Sequence, residues 1–139
     1  MKRLPSLLRC AFVATALVFS SALLSAADPS ELGEAAGTLS VPAGFSASDV
    51  QAVIVRAFTQ RKWTIQSQSD DRVVGHIRHD SNEATVTMVF TPSKIDLYCV
   101  GWQIDKKTGT HEKPEQPKRW LNYLKSDIPR FFGEKAVKK

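Results

Sequence analysis

The chain has 139 residues, of which 42% are hydrophobic, 24% charged and 9% aromatic, with a formal net charge of +5. That length suits one small globular core and is too short for two. Seven glycines, seven prolines and only two cysteines exclude a collagen, a coiled coil, a disulfide knot and a wholly disordered chain.

Met1 to Ala27 has the pattern of a secretory signal. Lys2, Arg3 and Arg9 form a basic start, Cys10 to Leu24 is an uncharged apolar run, and Ser25-Ala26-Ala27 offers small side chains to a signal peptidase. The cations stay on the cytoplasmic side while the short apolar helix enters the bilayer. Cleavage near Ala27 is expected, because polar Asp28-Pro29-Ser30-Glu31 follows at once. The alternative is an uncleaved anchor, since the 18 residues from Cys10 to Ala27 sit at the lower limit for spanning. A lipoprotein anchor is excluded locally: Cys10 precedes the apolar run, whereas a lipidated cysteine follows it. The mature chain is therefore expected in the periplasm or outside the cell, touching membrane only through the signal segment.

Cleavage changes the charge. Three of the 19 Lys+Arg lie in the leader and none of the 14 Asp+Glu, which leaves +2 on residues 28–139. Lys135, Lys138 and Lys139 fall in the last five residues, read as a disordered basic tail over 134–139. A nucleic-acid partner needs many cations on one face, so that class is excluded. Cys10 leaves with the signal and Cys99 has no internal partner; it reads as a small buried residue in a strand rather than a reactive thiol.

Asp28 to Thr38 is rich in Ala, Gly and acids without apolar periodicity, and reads as a flexible spacer. Leu39-Ser40-Val41-Pro42 reads as a short edge strand or an ordered arm, so residues 28–44 form a spacer and arm ahead of one domain over 45–133. A helix starts near Ser46, capped reciprocally by Ser46 with Asp49 or by Ser48 with Gln51. Val50, Val53, Ile54, Ala57 and Phe58 make its apolar stripe, and it runs to about Gln60.

From Lys62 the period becomes two. Trp63 and Ile65, then Val73, Gly75 and Ile77, then Ala84, Val86, Met88 and Phe90, then Ile95, Leu97, Cys99 and Gly101 alternate with their neighbours, separated by short turns. Four successive strands with such turns leave no room for parallel crossovers, so an antiparallel meander with one apolar face is expected. Asp105 to Gln116 is a polar connection. A closing helix begins at Pro117 and carries Trp120, Leu121, Leu124, Ile128 and Phe131, with Pro129 ending or kinking it near Ile128. The expected fold is two-layer α+β: a four-stranded meander with an N-terminal and a C-terminal helix on one face.

Arg61-Lys62-Trp63 at a helix-to-strand junction, the strand Val73-Val74-Gly75-His76-Ile77, the strand Val86-Thr87-Met88-Val89-Phe90 and the helix positions Trp120, Leu124 and Ile128 come in a characteristic order. Over Ser46 to Phe132 this set resembles a family of small bacterial secreted proteins and lipoproteins of unknown function. The family's Asp-Ser pair after the fourth strand, and its Ile-His and Tyr-Asn before the last helix, are replaced here by Cys99-Val100-Gly101 and by residues Pro114 to Lys118. The resemblance implies an envelope location and the fold, with no activity to carry over.

No constellation points to catalysis or to a cofactor. Of the three histidines only His76 and His111 can converge, and nothing fixes a third metal ligand. No nucleophile elbow exists, and Asp96, Asp105, Glu112 and Glu115 are scattered. Arg61 reads as a structural cation packed on a ring or closing a helix end. The functional candidate is the sheet face away from the helices, where His76, Arg78, Tyr98 and Trp102 project with Thr85 and Thr87. Aromatics and arginine on an open face suit recognition of an envelope protein or a glycan. The competing reading has Tyr98 and Trp102 covered by the N-terminal arm or by the loop after Asp105. The expected function is an exported non-catalytic binding module. The alternatives are a small secreted hydrolase with a cleft under the 105–116 loop, and a module that self-associates by adding Leu39 to Val41 to a neighbour's sheet.

Overall fold

The computed structural model describes residues 32–138, so the signal segment and its cleavage site lie outside the described residues. It is an α+β fold: one antiparallel sheet and two helices, in the order β1 (Glu34–Ser40), α1 (Ala47–Gln60), β2 (Thr64–Gln68), β3 (Arg72–His79), β4 (Asn82–Phe90), β5 (Lys94–Ile104), β6 (His111–Pro114) and α2 (Lys118–Val137). Strands run β1-β5-β4-β3-β2 across the sheet, and β6 also pairs with β5. β2 to β5 form the expected meander. Since β4 occupies one edge of β5, β1 and β6 lie end to end along the other.

The apolar sets of β3, β4 and β5 share one face. Val73, Ala84, Val86, Met88, Phe90, Ile95, Leu97 and Cys99 are buried there against Val50, Val53, Ile54, Ala57 and Phe58 of α1 and Leu121, Leu124, Ile128, Phe131 and Phe132 of α2. The α1 N-terminus is closed by the Ser46–Asp49 pairing: the Asp49 N–H donates to Ser46 Oγ (3.1 Å) and the Ser46 N–H to the Asp49 carboxylate (3.0 Å). Gly75 faces α1, and a methyl group there would stand 2.6 Å from the buried Phe58 ring. Gly101 faces the chain entering α2, where a Cβ would overlap the Glu115 carbonyl oxygen. Both glycines are demanded by close approach rather than by φ.

The expectations for the spacer, the polar connection and the closing helix need correction. The spacer is ordered from Glu34: β1 is an edge strand, paired from Glu34↔Cys99 to Ser40↔Lys94 with a bulge between Ala35 and Gly37. Its backbone is further held by Lys125 Nζ, which donates to the Ala36 carbonyl (2.9 Å). Leu39 and Ser40 pair with β5, as the short edge strand expected of them, and the Val41 N–H donates to the Ser93 carbonyl (2.9 Å). The polar connection contains a strand, so the sheet has six strands rather than four.

The closing helix passes through Pro129 and continues to Val137. An interior proline costs a helix about 3 kcal/mol. Full burial of Phe131 and Phe132 beyond it returns about 1.5–3 kcal/mol each. Burial wins, and the helix extends through the residues expected to be a tail. Ion pairs of Arg56 with Glu134 (2.7 Å) and of Asp49 with Lys135 (3.4 Å) hold that extension to α1.

Gly75→Ala is expected to destabilise the fold by about 1–3 kcal/mol through overpacking against Phe58. Urea denaturation would show the loss reduced in a Phe58→Leu background; equal losses in both backgrounds would place the strain elsewhere.

Candidate functional site

Residues directly opposite on antiparallel strands share a face. The registers therefore lay four rows across the face that the helices leave bare: Arg72–Val89–Asp96, Val74–Thr87–Tyr98, His76–Thr85–Val100 and Arg78–Glu83–Trp102. All four candidate residues lie on this face. His76, Arg78 and Trp102 gather at one end of it, whereas Tyr98 stands two rows away, half-buried beside Thr87.

Glu83 organises the gathered end. Its Oε1 lies 3.0 Å from His111 Nε2 and 3.7 Å from His76 Nε2, and its Oε2 lies 3.7 Å from the Arg78 guanidinium. With the carboxylate ionised, His111 Nε2 is the donor of the 3.0 Å hydrogen bond. The His111 ring stacks on Trp102, with centroids 4.6 Å apart and planes 5° from parallel. Arg78 Nη2 donates to the Gly109 carbonyl (3.1 Å), so the tip of the β5–β6 hairpin curls over the face as far as β3. The competing reading, in which the arm or the loop after Asp105 covers Tyr98 and Trp102, holds for Trp102 only, on which the His111 ring is stacked. The N-terminal arm stays in the plane of the sheet and leaves Tyr98 uncovered by that route.

The chemistry of this cluster is that of a fixed ion group. Burial of Glu83 acts to raise its pKa, but the His111 hydrogen bond and the charges of His76 and His111 outweigh it and hold the carboxyl below the usual range. A general base needs the opposite shift, toward neutrality. Cys99 lies on the covered face, where burial, with Glu34 adding to it, pushes the thiol up to about 11; it remains a protonated thiol and a weak nucleophile. Among the described residues, no group of three His, Cys, Asp or Glu is placed to hold a metal ion. No helix among them is long and apolar enough to cross a membrane.

A second concave region lies at the end of the helical layer. Trp63 meets the buried Phe58 at 5.4 Å and Trp120 edge-on at 6.2 Å, and the two tryptophans line, with Tyr123, Lys62 and the end of β3, a cavity of about 340 Å³. Arg61 braces its wall. Its Nε donates to Asp127 Oδ2 (2.7 Å), its Nη2 to Asp127 Oδ1 (3.1 Å), and its guanidinium lies 4.4 Å over the Tyr123 ring. Asp127 is 4% exposed, and Arg130 is its second cation at 3.1 Å. The Arg61 hydrogen bonds hold the Asp127 carboxyl below its ordinary range against the opposing effect of burial. Arg61 thus has the structural role expected of it, with Tyr123 and Asp127 as partners.

Sequence reasoning paired His76 with His111, as found, but missed Glu83 as the acid between them and Tyr123 as the ring under Arg61. The alternation of β4 puts Glu83 on the open face, a legible signal, but nothing short of the strand register shows Arg78 and Trp102 on either side of it. No protein-family model, no curated protein and no solved structure matches the chain.

The Arg61–Asp127 pair has a defined pH signature. The folded-state pKa of Asp127 is lowered, so its contribution is complete above the ordinary carboxylate range near pH 4 and is lost as pH falls through the lowered value. Arg61→Gln is expected to lower stability by a constant amount above about pH 5, and the gap to wild type should close at more acid pH. Urea titrations across pH 2–7 measure this; a gap independent of pH would contradict the electrostatic assignment.

Proposed function

We propose that this chain is an exported, non-catalytic module of the cell envelope that docks a partner protein on the bare face of its sheet. The observation that carries the reading is the one-sided cover. Both helices bury one face, while the other displays Tyr98, Trp102, Val74, Val89 and Val100, half-buried among themselves, beside the ordered Glu83 ion cluster. Aromatic rings held in place by their neighbours lose little side-chain entropy on binding, and a charged group at one end supplies orientation. The signal pattern of Met1 to Ala27, and the family that the chain resembles, support the envelope location.

A hydrolase draws no support from this geometry. Residues His111–Pro114 spend their backbone on pairing with β5 instead of roofing a cleft. The Asp105 carboxylate accepts the Lys107 N–H (2.8 Å), and Glu83 is held against acting as a base.

A photoreactive residue in place of Tyr98, expressed in intact cells, is expected to give one dominant adduct. The same residue in place of the exposed Ser126 on α2 should give none. Tyr98→Ala should cost no more than about 1 kcal/mol in melting experiments, in keeping with a half-buried surface position. Equal crosslinking from both positions, or unfolding on Tyr98→Ala, would contradict the assignment.

A further inference from the structure

The proposed docking face is not the only recognition surface that the fold builds. We infer that the cavity between the start of β2, the end of β3 and the first turns of α2 takes an extended acidic segment of a partner protein, added as a short strand to the free edge of β3.

The edge comes first. β2 pairs with β3 only as far as Thr64↔His76, while β3 continues in regular register with β4 through Ile77↔Ala84, Arg78↔Glu83 and His79↔Asn82. No residue of β2 is therefore registered opposite Ile77 to His79, and these three residues line the 340 Å³ cavity. An unpaired stretch of strand is a template for pairing with another chain. The outer strands of the sheet are both interrupted by bulges, β1 between Ala35 and Gly37 and β2 between Ile65 and Ser67, a device that discourages such pairing. The end of β3 has no such interruption in its register with β4, and it lies beside a cavity with aromatic walls, Trp63 and Trp120.

Charge names the partner. Lys62 lines the cavity, and Lys118 and Arg119 lie beside it; all three are exposed and make no ion pair among the described residues, though Arg119 Nε donates to the Tyr123 hydroxyl (2.7 Å). A hollow of about 780 Å³ carries Lys118 and Arg119 and joins the cavity through His79, Trp120 and Tyr123. The acids within it are Asp80, already 3.4 Å from His79, and Glu115. A strand with alternating acidic and apolar residues meets both requirements, its carboxylates toward these cations and its apolar side chains toward the tryptophans.

Lys62 supplies an independent observation. It follows α1 at φ +64°, where the Trp63 N–H donates to the Phe58 carbonyl (2.9 Å) and the Lys62 N–H to the Thr59 carbonyl (3.1 Å). That pattern is the helix ending in which glycine is the favoured residue. A lysine there carries backbone strain that a glycine would not, and strain of this kind collects at binding sites.

The test uses isotope-labelled protein and three acetylated, amidated hexapeptides: Thr-Glu-Val-Glu-Val-Glu, its counterpart with lysines for glutamates, and the acidic peptide N-methylated at its central residues. The acidic peptide is expected to give saturable shifts in the amides of Ile77 to His79 and the indoles of Trp63 and Trp120. The lysine and N-methyl peptides should bind at least tenfold more weakly. Lys62→Gly should raise the melting temperature and weaken the acidic peptide several-fold. Tyr98→Ala should leave its affinity unchanged, which separates this site from the open face. Equal binding of the N-methyl peptide, equal competition by polyphosphate, shifts confined to Tyr98 and Trp102, unaltered affinity in Lys62→Gly, or no saturable shift would each overturn the inference.

Discussion

Burial on one side of the sheet governs everything else in this molecule. In β4 and β5 every second side chain from Ala84 to Phe90 and from Ile95 to Cys99 is apolar and buried. Those side chains leave water only if helices lie across them, and α1 and α2 have complementary stripes. The same alternation sends Glu83, Thr85, Thr87, Tyr98, Val100 and Trp102 to the opposite face, where no helix follows. Fold and candidate surface are thus two consequences of one period-two pattern.

Electrostatics fixes what burial leaves adjustable. The apolar contact between α1 and α2 tolerates small slides, but Arg61 with Asp127, Arg56 with Glu134 and Asp49 with Lys135 tie the helices at three heights. The first pair is the one that matters most, because Asp127 is almost wholly buried and accepts two bonds from the Arg61 guanidinium, with a third from Arg130. The other two are exposed pairs, of the kind that individually contribute little. On the bare face the Glu83 cluster does a comparable task for the β5–β6 hairpin, drawing its tip over the end of the sheet by way of His111 and Arg78. Each cluster shapes one of the two surfaces argued above: Arg61 braces the aromatic cavity, and Glu83 sets the rings of His111 and Trp102.

Much of this was legible in the residues. The capped helix from Ser46, the four central strands and the apolar positions of the closing helix are periodic signals carried by buried side chains. The parts that escaped are those whose stability comes from elsewhere. β1 has the sequence Glu-Ala-Ala-Gly-Thr-Leu-Ser with no clean alternation, because it is an edge strand held by ladder hydrogen bonds and by Lys125. His111 to Pro114 is exposed at every position, so its strand leaves no hydrophobic trace. Pro129 reads locally as a stop, and only the distant burial of Phe131 and Phe132 overrides it. The face of each site residue could be read from parity. Which residues meet across strands depends on register, and the turns alone did not determine it.

The central claim is that one face of the sheet is sealed and the other is open to solvent. Hydroxyl-radical footprinting of the folded protein, read by mass spectrometry, tests it most directly, because the sulfur side chains of Met88 and Cys99 are intrinsically among the most readily oxidised and both lie on the sealed face. The account predicts that Met88 and Cys99 stay unmodified while Tyr98 and Trp102 are oxidised, with the protection lost on unfolding. Oxidation of Met88 and Cys99 in the folded state, or protection of Tyr98 and Trp102 alongside them, would contradict it.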